Sequence, residues 1–221
     1  MRRERLERIG QLALPIVGGM VSQVVLNLVD TAMVGVLGKD ALAGVGTASF
    51  AAFMATALVM GLSSGVQAMA ARRVGEGRGD EAAVPLTGGL LLALVIGLPI
   101  SIILLIYSSA LFPYINGDQG VIEAGLPYFD ARLLGVIAVG MNFAFRGYWT
   151  GVSQSRRYLH TLLVIHVSNV VISYVLIFGK FGFPELGTEG SGLGTTISLY
   201  LGTAAFFVLG WKEARKNGFL S

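Results

Sequence analysis

The sequence predicts an all-α, polytopic membrane protein built as a bundle of six transmembrane helices. The chain of 221 residues is 54% hydrophobic and only 13% charged, whereas soluble domains average about 25% charged residues. Long runs without Asp, Glu, Lys or Arg recur along it, and about 20 predominantly apolar residues are enough to span a bilayer. Because lipid offers no hydrogen-bond partner to a free backbone amide, we expect these spans to be helices.

The predicted helices form one lobe that covers residues 1–221. They lie at about 10–36, 43–71, 84–110, 125–150, 158–179 and 188–211. Four of them rest on fully uncharged runs, which are 41–71, 82–117, 158–179 and 190–211. The connectors between them are short and polar, and several contain the Gly, Asn, Asp and Pro residues that favour turns.

Charge lies inside the first and fourth helices, and the sixth carries only Glu189 at its start. In residues 9–38 the only charged residue is Asp30. The fourth helix has Asp130 and Arg132 near its start and Arg146 near its end. We predict both as single continuous spans.

The distribution of Lys and Arg predicts that both termini are cytoplasmic, because cytoplasmic connectors of membrane proteins carry an excess of these residues. The side of the two termini would hold Arg2, Arg3, Arg5, Arg8, Arg72, Arg73, Arg78, Arg146, Arg156, Arg157, Lys212, Arg215 and Lys216. The other side would hold Lys39 and Lys180, with Arg132 near it. This pattern indicates an insertion signal in the cell membrane rather than a nucleic-acid interface, so the bilayer is the expected partner and nucleic acid is not.

Asp30 is the strongest candidate for a functional residue. A carboxylate deep in a membrane span costs roughly 2.5 to 3.5 kcal/mol, and such residues usually mark functional sites. With Lys39 at the outer end, Asp30 would lie about 13 Å along the helix from that end. It could be a structural acid paired with a polar neighbour, although no intramembrane Lys or Arg is an obvious partner. It could instead bind and release a proton, or hold Na⁺ or an organic cation in its ionised form.

Four segments, in their order and spacing, are similar to one family of transporters. They are LALPIVGGMVSQVVLNLVDTAMVGVLG, QAMAARRVGEGRGDEA, FRGYWTGVSQSRRYLHTLLV and NVVISYVLIFGKFGFPELGTEGSGLGTTIS. These resemble the first helix, a cytoplasmic connector, and the passages between helices four and five and between helices five and six of the multidrug and toxic compound extrusion (MATE) transporters, of the NorM and DinF kinds. The resemblance implies an H⁺- or Na⁺-coupled antiporter that exports organic, cationic or amphipathic compounds, and not an enzyme.

Complete members of that family have twelve helices in two pseudo-symmetric lobes, and this chain resembles the amino-terminal lobe. The tail GWKEARKNGFLS resembles a connector that is entered and then cut. We therefore expect a truncated transporter rather than a half-transporter that must pair. In either case the implied partner is a second six-helix half.

The resemblance also implies residues for cation or substrate binding. Asn169 and Thr195 match an Asn and a Thr of the family's cation site, although each could merely make a structural hydrogen bond. Ser173 stands where some relatives carry a second Asp, on the helix face of Asn169. A hydroxyl there weakens a Na⁺ site, which prefers several oxygens, and favours protons. Gln23 either lines the same cavity as Asp30 or packs against a neighbouring helix.

Pro15 removes a backbone hydrogen bond from the first helix. It is either a static kink or a gating point that moves Asp30 between two exposures. No metal site is expected, because the chain has no cysteine and His160 and His166 lie on different helix faces. No cofactor is expected besides the coupling ion.

Two other functions stay open. A lipid-linked oligosaccharide flippase of the same superfamily would need several basic residues for pyrophosphate, and none is clearly placed in the membrane interior. A non-transporting scaffold or assembly subunit would bind no organic cation, and it would need Asp30 only for folding.

Overall fold

The computed structural model describes the backbone of residues 2–219 and the side chains of residues 13–14, 17–211 and 214–219. Over this part of the chain the α-helices are α1 (Arg2–Gly35), α2 (Lys39–Met60), α3 (Leu62–Gly75), α4 (Val84–Ile115), α5 (Gln119–Leu133), α6 (Val136–Gly151), α7 (Ser155–Phe178) and α8 (Gly187–Lys216). Single 3-10 turns at Gly79–Glu81 and Lys180–Gly182 lie in two connectors. Residues 2–219 contain no strand, so the predicted all-α class is confirmed.

Five helical segments are long and apolar enough to cross a membrane. They are Val17–Gly35, Lys39–Gly75, Gly79–Ile115, Ser155–Phe178 and Gly187–Trp211. The second of these combines α2 and α3. The pair α5 and α6 passes the same test only together, with a bend of 52° between them. With this pair counted as one broken span, the described residues contain six candidate spans, the number that the sequence predicts.

The prediction of one continuous fourth helix over 125–150 is wrong, because α5 ends at Leu133 and α6 begins at Val136. Hydroxyl groups from α4 and α8 donate hydrogen bonds to backbone carbonyls beside the break. Thr196 donates to the Ala131 carbonyl at 2.8 Å, Ser101 donates to the Leu133 carbonyl at 2.8 Å, and Tyr200 donates to the Leu134 carbonyl at 2.9 Å. Such partners are what allow a helix to break inside a membrane. Their distant positions in the sequence explain why the break was not predicted.

Small residues allow the helices to approach closely, as is usual between membrane helices. A Cβ on Gly44 of α2 would lie 2.7 Å from the backbone nitrogen of Gly125 in α5. A Cβ on Gly194 of α8 would lie 2.7 Å from the Cα of Ser173 in α7. The second contact fixes α7 against α8 and thereby sets the distance between the side chains that follow on these two helices.

The core has two parts. One is a cluster of aromatic residues centred on Phe145, Trp149 and Phe206. The other packs α2, α4, α5 and α6 around Phe112 and Phe129. Helix α1 lies outside both clusters and packs mainly on α7. Only 17% of its most apolar stretch is buried, so α1 is the least embedded of the spans.

Candidate functional site

A cavity of about 560 Å³ lies between α1, α2, α5, α6, α7 and α8. This volume is within the usual range for sites that bind small molecules. Its polar lining residues are Gln23, Asn27, Ser49, Thr56, Arg132, Asn142, Arg146, Tyr158, His166, Asn169 and Thr195. Leu, Ile, Val, Met and Phe side chains form the rest of the wall, so the interior is amphipathic.

Asp30, Asn169 and Thr195 meet beside this cavity, each from a different helix. Asn169 is buried in α7, between the Asp30 carboxylate of α1 and the Thr195 hydroxyl of α8. The three residues are therefore neighbours in space, although 139 positions separate Asp30 from Asn169 and 26 positions separate Asn169 from Thr195.

The Asn169 amide bridges its two neighbours. Its nitrogen faces Asp30 and donates to Oδ1 at 2.9 Å and Oδ2 at 3.3 Å, and its oxygen accepts from Thr195 Oγ1 at 2.9 Å. This arrangement fits an ionised carboxylate.

Arg132 of α5 also lines the cavity, and its positive charge acts on the Asp30 carboxylate. Its Nε and Nη1 atoms are buried without a hydrogen-bond partner among the described residues. The sequence offers no obvious intramembrane Lys or Arg as a partner of Asp30, and the structure places Arg132 where its charge acts on that carboxylate. Arg132 lies one residue before the end of α5, beside the break.

Gln23 lines the cavity, as one of its two predicted placements requires. Its Nε2 donates to Asn27 Oδ1 at 3.0 Å, and its Oε1 lies 3.2 Å from His166 Nε2. His166 Nδ1 lies 2.9 Å from Ser22 Oγ. An imidazole protonated at Nε2 would satisfy both contacts and join α1 to α7. From the sequence, His166 was weighed only as a possible metal ligand. The described residues contain no cluster of side chains that could hold a metal ion.

The structure does not assign two predicted residues, Ser173 and Pro15, to this cluster. Ser173 is fully buried against Gly194, and its Oγ has no hydrogen-bond partner among the described side chains. It is not one of the cavity-lining residues, so its role stays a prediction. Pro15 lies in α1, but its side chain is outside the described residues and its gating role also stays a prediction.

Arg146 of α6 was counted among the cytoplasmic charges, but it lies on the cavity wall. Its guanidinium carbon is 5.5 Å from the centroid of the Phe143 ring and 5.5 Å from that of Tyr158. Together with Arg132 it gives the cavity two positive groups. The sequence did not predict either residue as part of a cavity wall.

Comparison with known proteins identifies the family. The MatE family model matches residues 15–175 of the sequence. The chain belongs to the MatE family. A probable multidrug resistance protein NorM of Synechococcus sp. is 32% identical over 200 residues, which are 90% of this chain and 43% of that protein. The multidrug resistance protein NorM of Photobacterium profundum is 28% identical over 200 residues, again 90% and 43%.

Solved MatE structures have the same fold. A MOP superfamily transporter from Pyrococcus furiosus superposes with a TM-score of 0.83 at 26% identity, over 95% of this chain and 45% of that one. A MATE protein in the bent conformation gives a TM-score of 0.80 at 28% identity, over 94% and 45%. This chain thus spans less than half the length of its MatE relatives, in agreement with the predicted single lobe. The relatives are transporters, which agrees with the expectation that the chain is not an enzyme.

Proposed function

We propose that this chain is the amino-terminal lobe of a cation-coupled exporter of organic, cationic or amphipathic compounds. The meeting of Asp30, Asn169 and Thr195 beside a cavity of about 560 Å³ is the observation that carries the proposal. It brings a site for a proton or Na⁺ next to a space that fits a small organic molecule. Multi-pass membrane transporters in which two lobes face each other across such a site are common.

Exchange of H⁺ or Na⁺ for substrate would begin at Asp30. While Asp30 is ionised, the amide nitrogen of Asn169 faces it, and this charge-assisted contact ties α1 to α7. An incoming proton or Na⁺ neutralises the carboxylate. The Asn169 amide then faces a neutralised carboxyl group instead of a charged one.

The consequence for transport follows from the position of α1. Neutral hydrogen bonds are roughly half as strong as charge-assisted ones, so the coupling ion weakens the contact between α1 and α7. As the least embedded span, α1 is the element that can bend or shift, and this movement would release substrate to the outside. The direction rests on the predicted cytoplasmic placement of both termini, and the second half supplies the opposite wall.

The test is ion-driven efflux by this lobe together with its second half in membrane vesicles. We expect Asp30→Asn to abolish efflux driven by a pH or Na⁺ gradient, because a neutral amide cannot exchange a charge with the coupling ion. Asp40→Asn is the matched control, because Asp40 is exposed in the first turn of α2 and lies off the cavity wall. Both variants should insert normally. Undiminished efflux in Asp30→Asn would contradict the mechanism, whereas absence of ion-driven efflux in the parent protein would favour a scaffold role.

A lipid-linked oligosaccharide flippase is the second candidate, and one observation favours it. Arg132 and Arg146 both line the cavity, where a pyrophosphate would need basic partners. Movement of lipid-linked oligosaccharide across vesicle membranes, without ion-driven efflux of small compounds, would select this function.

A further inference from the structure

Arg146 carries a positive charge on the cavity wall that the lobe itself does not neutralise. None of the residues that line the cavity is an acid. Among the described residues Arg146 forms no ion pair and no hydrogen bond, and its contacts are the Phe143 and Tyr158 rings. These cation–π contacts hold the guanidinium in place and leave its N–H groups free to donate.

The other charged groups of the site are Arg132 and Asp30. The positive charge of Arg132 acts on the Asp30 carboxylate. Arg146 is far from both. Its ring partner Tyr158 precedes Asn169 by eleven residues on α7, which corresponds to about 16 Å along the helix. A guanidinium without an ion-pair partner can accept an acidic ligand, and none of the described residues that line the cavity at this end is an acid.

A bland alternative is that Arg146 simply extends to the membrane surface, as long basic side chains near helix ends do. The geometry argues against this. The Arg146 side chain is only partly exposed, and aromatic rings from α6 and α7 hold it on the cavity wall. A guanidinium fork fixed in this way matches a carboxylate, sulfonate or phosphate, which it can bind through two parallel hydrogen bonds.

We propose that Arg146, flanked by Phe143 and Tyr158, binds the acidic group of an amphipathic substrate whose apolar body fills the cavity. This inference rests on the proposed export function and narrows its substrate class to compounds with a carboxylate, sulfonate or phosphate. A purely cationic compound would meet an uncompensated positive charge. The acidic group and the coupling ion would occupy opposite ends of the cavity, so the acid does not compete with the ion for Asp30.

The test compares two probes with the same apolar body, naphthalene-2-sulfonate and naphthyl-trimethylammonium. Their binding to the 221-residue chain in phosphatidylcholine nanodiscs is measured by calorimetry, with empty nanodiscs as the blank. We expect the sulfonate to bind more tightly. Arg146→Gln should weaken sulfonate binding by roughly tenfold to a hundredfold, the range for a hydrogen bond to a charged group, and should not weaken ammonium binding.

Two variants control this result. Arg156→Gln removes an exposed arginine off the cavity wall and should leave both affinities unchanged. Arg146→Lys keeps the charge and loses the fork, so it should bind the sulfonate with intermediate affinity, and it replaces Arg146→Gln if that variant does not fold. Equal sulfonate affinity in the Arg146 and Arg156 variants, or tighter binding of the ammonium probe, would overturn the inference.

The acidic group could belong to a free organic acid or to a lipid headgroup. Phosphatidylglycerol added to the nanodiscs distinguishes these sources. If the site binds a lipid headgroup, phosphatidylglycerol displaces the sulfonate probe in an Arg146-dependent way. If the site binds a free organic acid, phosphatidylglycerol does not displace the probe. Loss of the sulfonate preference with Asp30-dependent efflux intact would refute this inference alone. Efflux that does not depend on Asp30, with the sulfonate preference intact, would refute the proposed function alone.

Discussion

Replacing Gly194 with Ala should disturb the candidate cation site without touching any of its side chains. Gly194 precedes Thr195 on α8 and lies directly against Ser173 of α7. A Cβ at this position would be 2.7 Å from the Ser173 Cα and 2.8 Å from its backbone nitrogen. Both are backbone atoms, so no side-chain rotation can relieve the overlap, and the two helices must separate.

The size of the separation follows from these distances. Carbon atoms in contact are at least about 3.5 Å apart, so α8 would have to move by about 0.8 Å from α7. The hydrogen bond between Asn169 and Thr195, now 2.9 Å long, would stretch to about 3.7 Å, beyond the usual limit. Overpacking of this kind costs about 1 to 3 kcal/mol, and the lost hydrogen bond adds about 0.6 kcal/mol on average in membrane proteins.

Thermal unfolding of the purified protein and ion-driven efflux would both be measured. We expect Gly194→Ala to unfold at a lower temperature and to lose efflux. Gly88→Ala is the matched control, because Gly88 lies in α4 with no atom within 4 Å of an added Cβ, and alanine favours a helix. It should be as stable as the parent or more so. If Gly194→Ala matched the parent in both assays, the close contact between α7 and α8 would not position the site.

Two further predictions concern single polar groups. Asn169→Leu removes the amide that donates to Asp30, and we expect ion-driven efflux to fall about tenfold. Asn142→Leu is the control, because it removes a cavity amide that is hydrogen-bonded to α8, and its efflux should still depend on the ion gradient. An equal loss of efflux in both variants would contradict a specific role for Asn169. In the α3 connector, the hydrogen bond from Arg72 holds the pKa of Glu76 below its usual value of 4.5. Stability from this pair is therefore present above pH 4.5 and lost as the pH falls below it, and Arg72→Gln should raise the Glu76 midpoint in an NMR titration.

The candidate site was only partly predictable. Asp30 was predictable because a charge inside a long apolar run is visible without coordinates. Asn169 and Thr195 came from resemblance, and the structure places them beside Asp30. Arg132 and Arg146 were not predictable as cavity residues. The direction of the Arg132 side chain depends on the break between α5 and α6, and that of Arg146 depends on aromatic rings from two helices.

The sequence alone determined the class of the protein, because the length and apolar character of its runs leave only membrane-spanning helices as a stable solution. It also determined the family and the position of the intramembrane acid. Only the tertiary structure decided which charges face one another. Hydroxyl groups from α4 and α8 satisfy the carbonyls at the break in the fourth span, and close glycine contacts bring α7 against α8. These contacts join residues that are far apart in the chain, so no local sequence pattern predicts them.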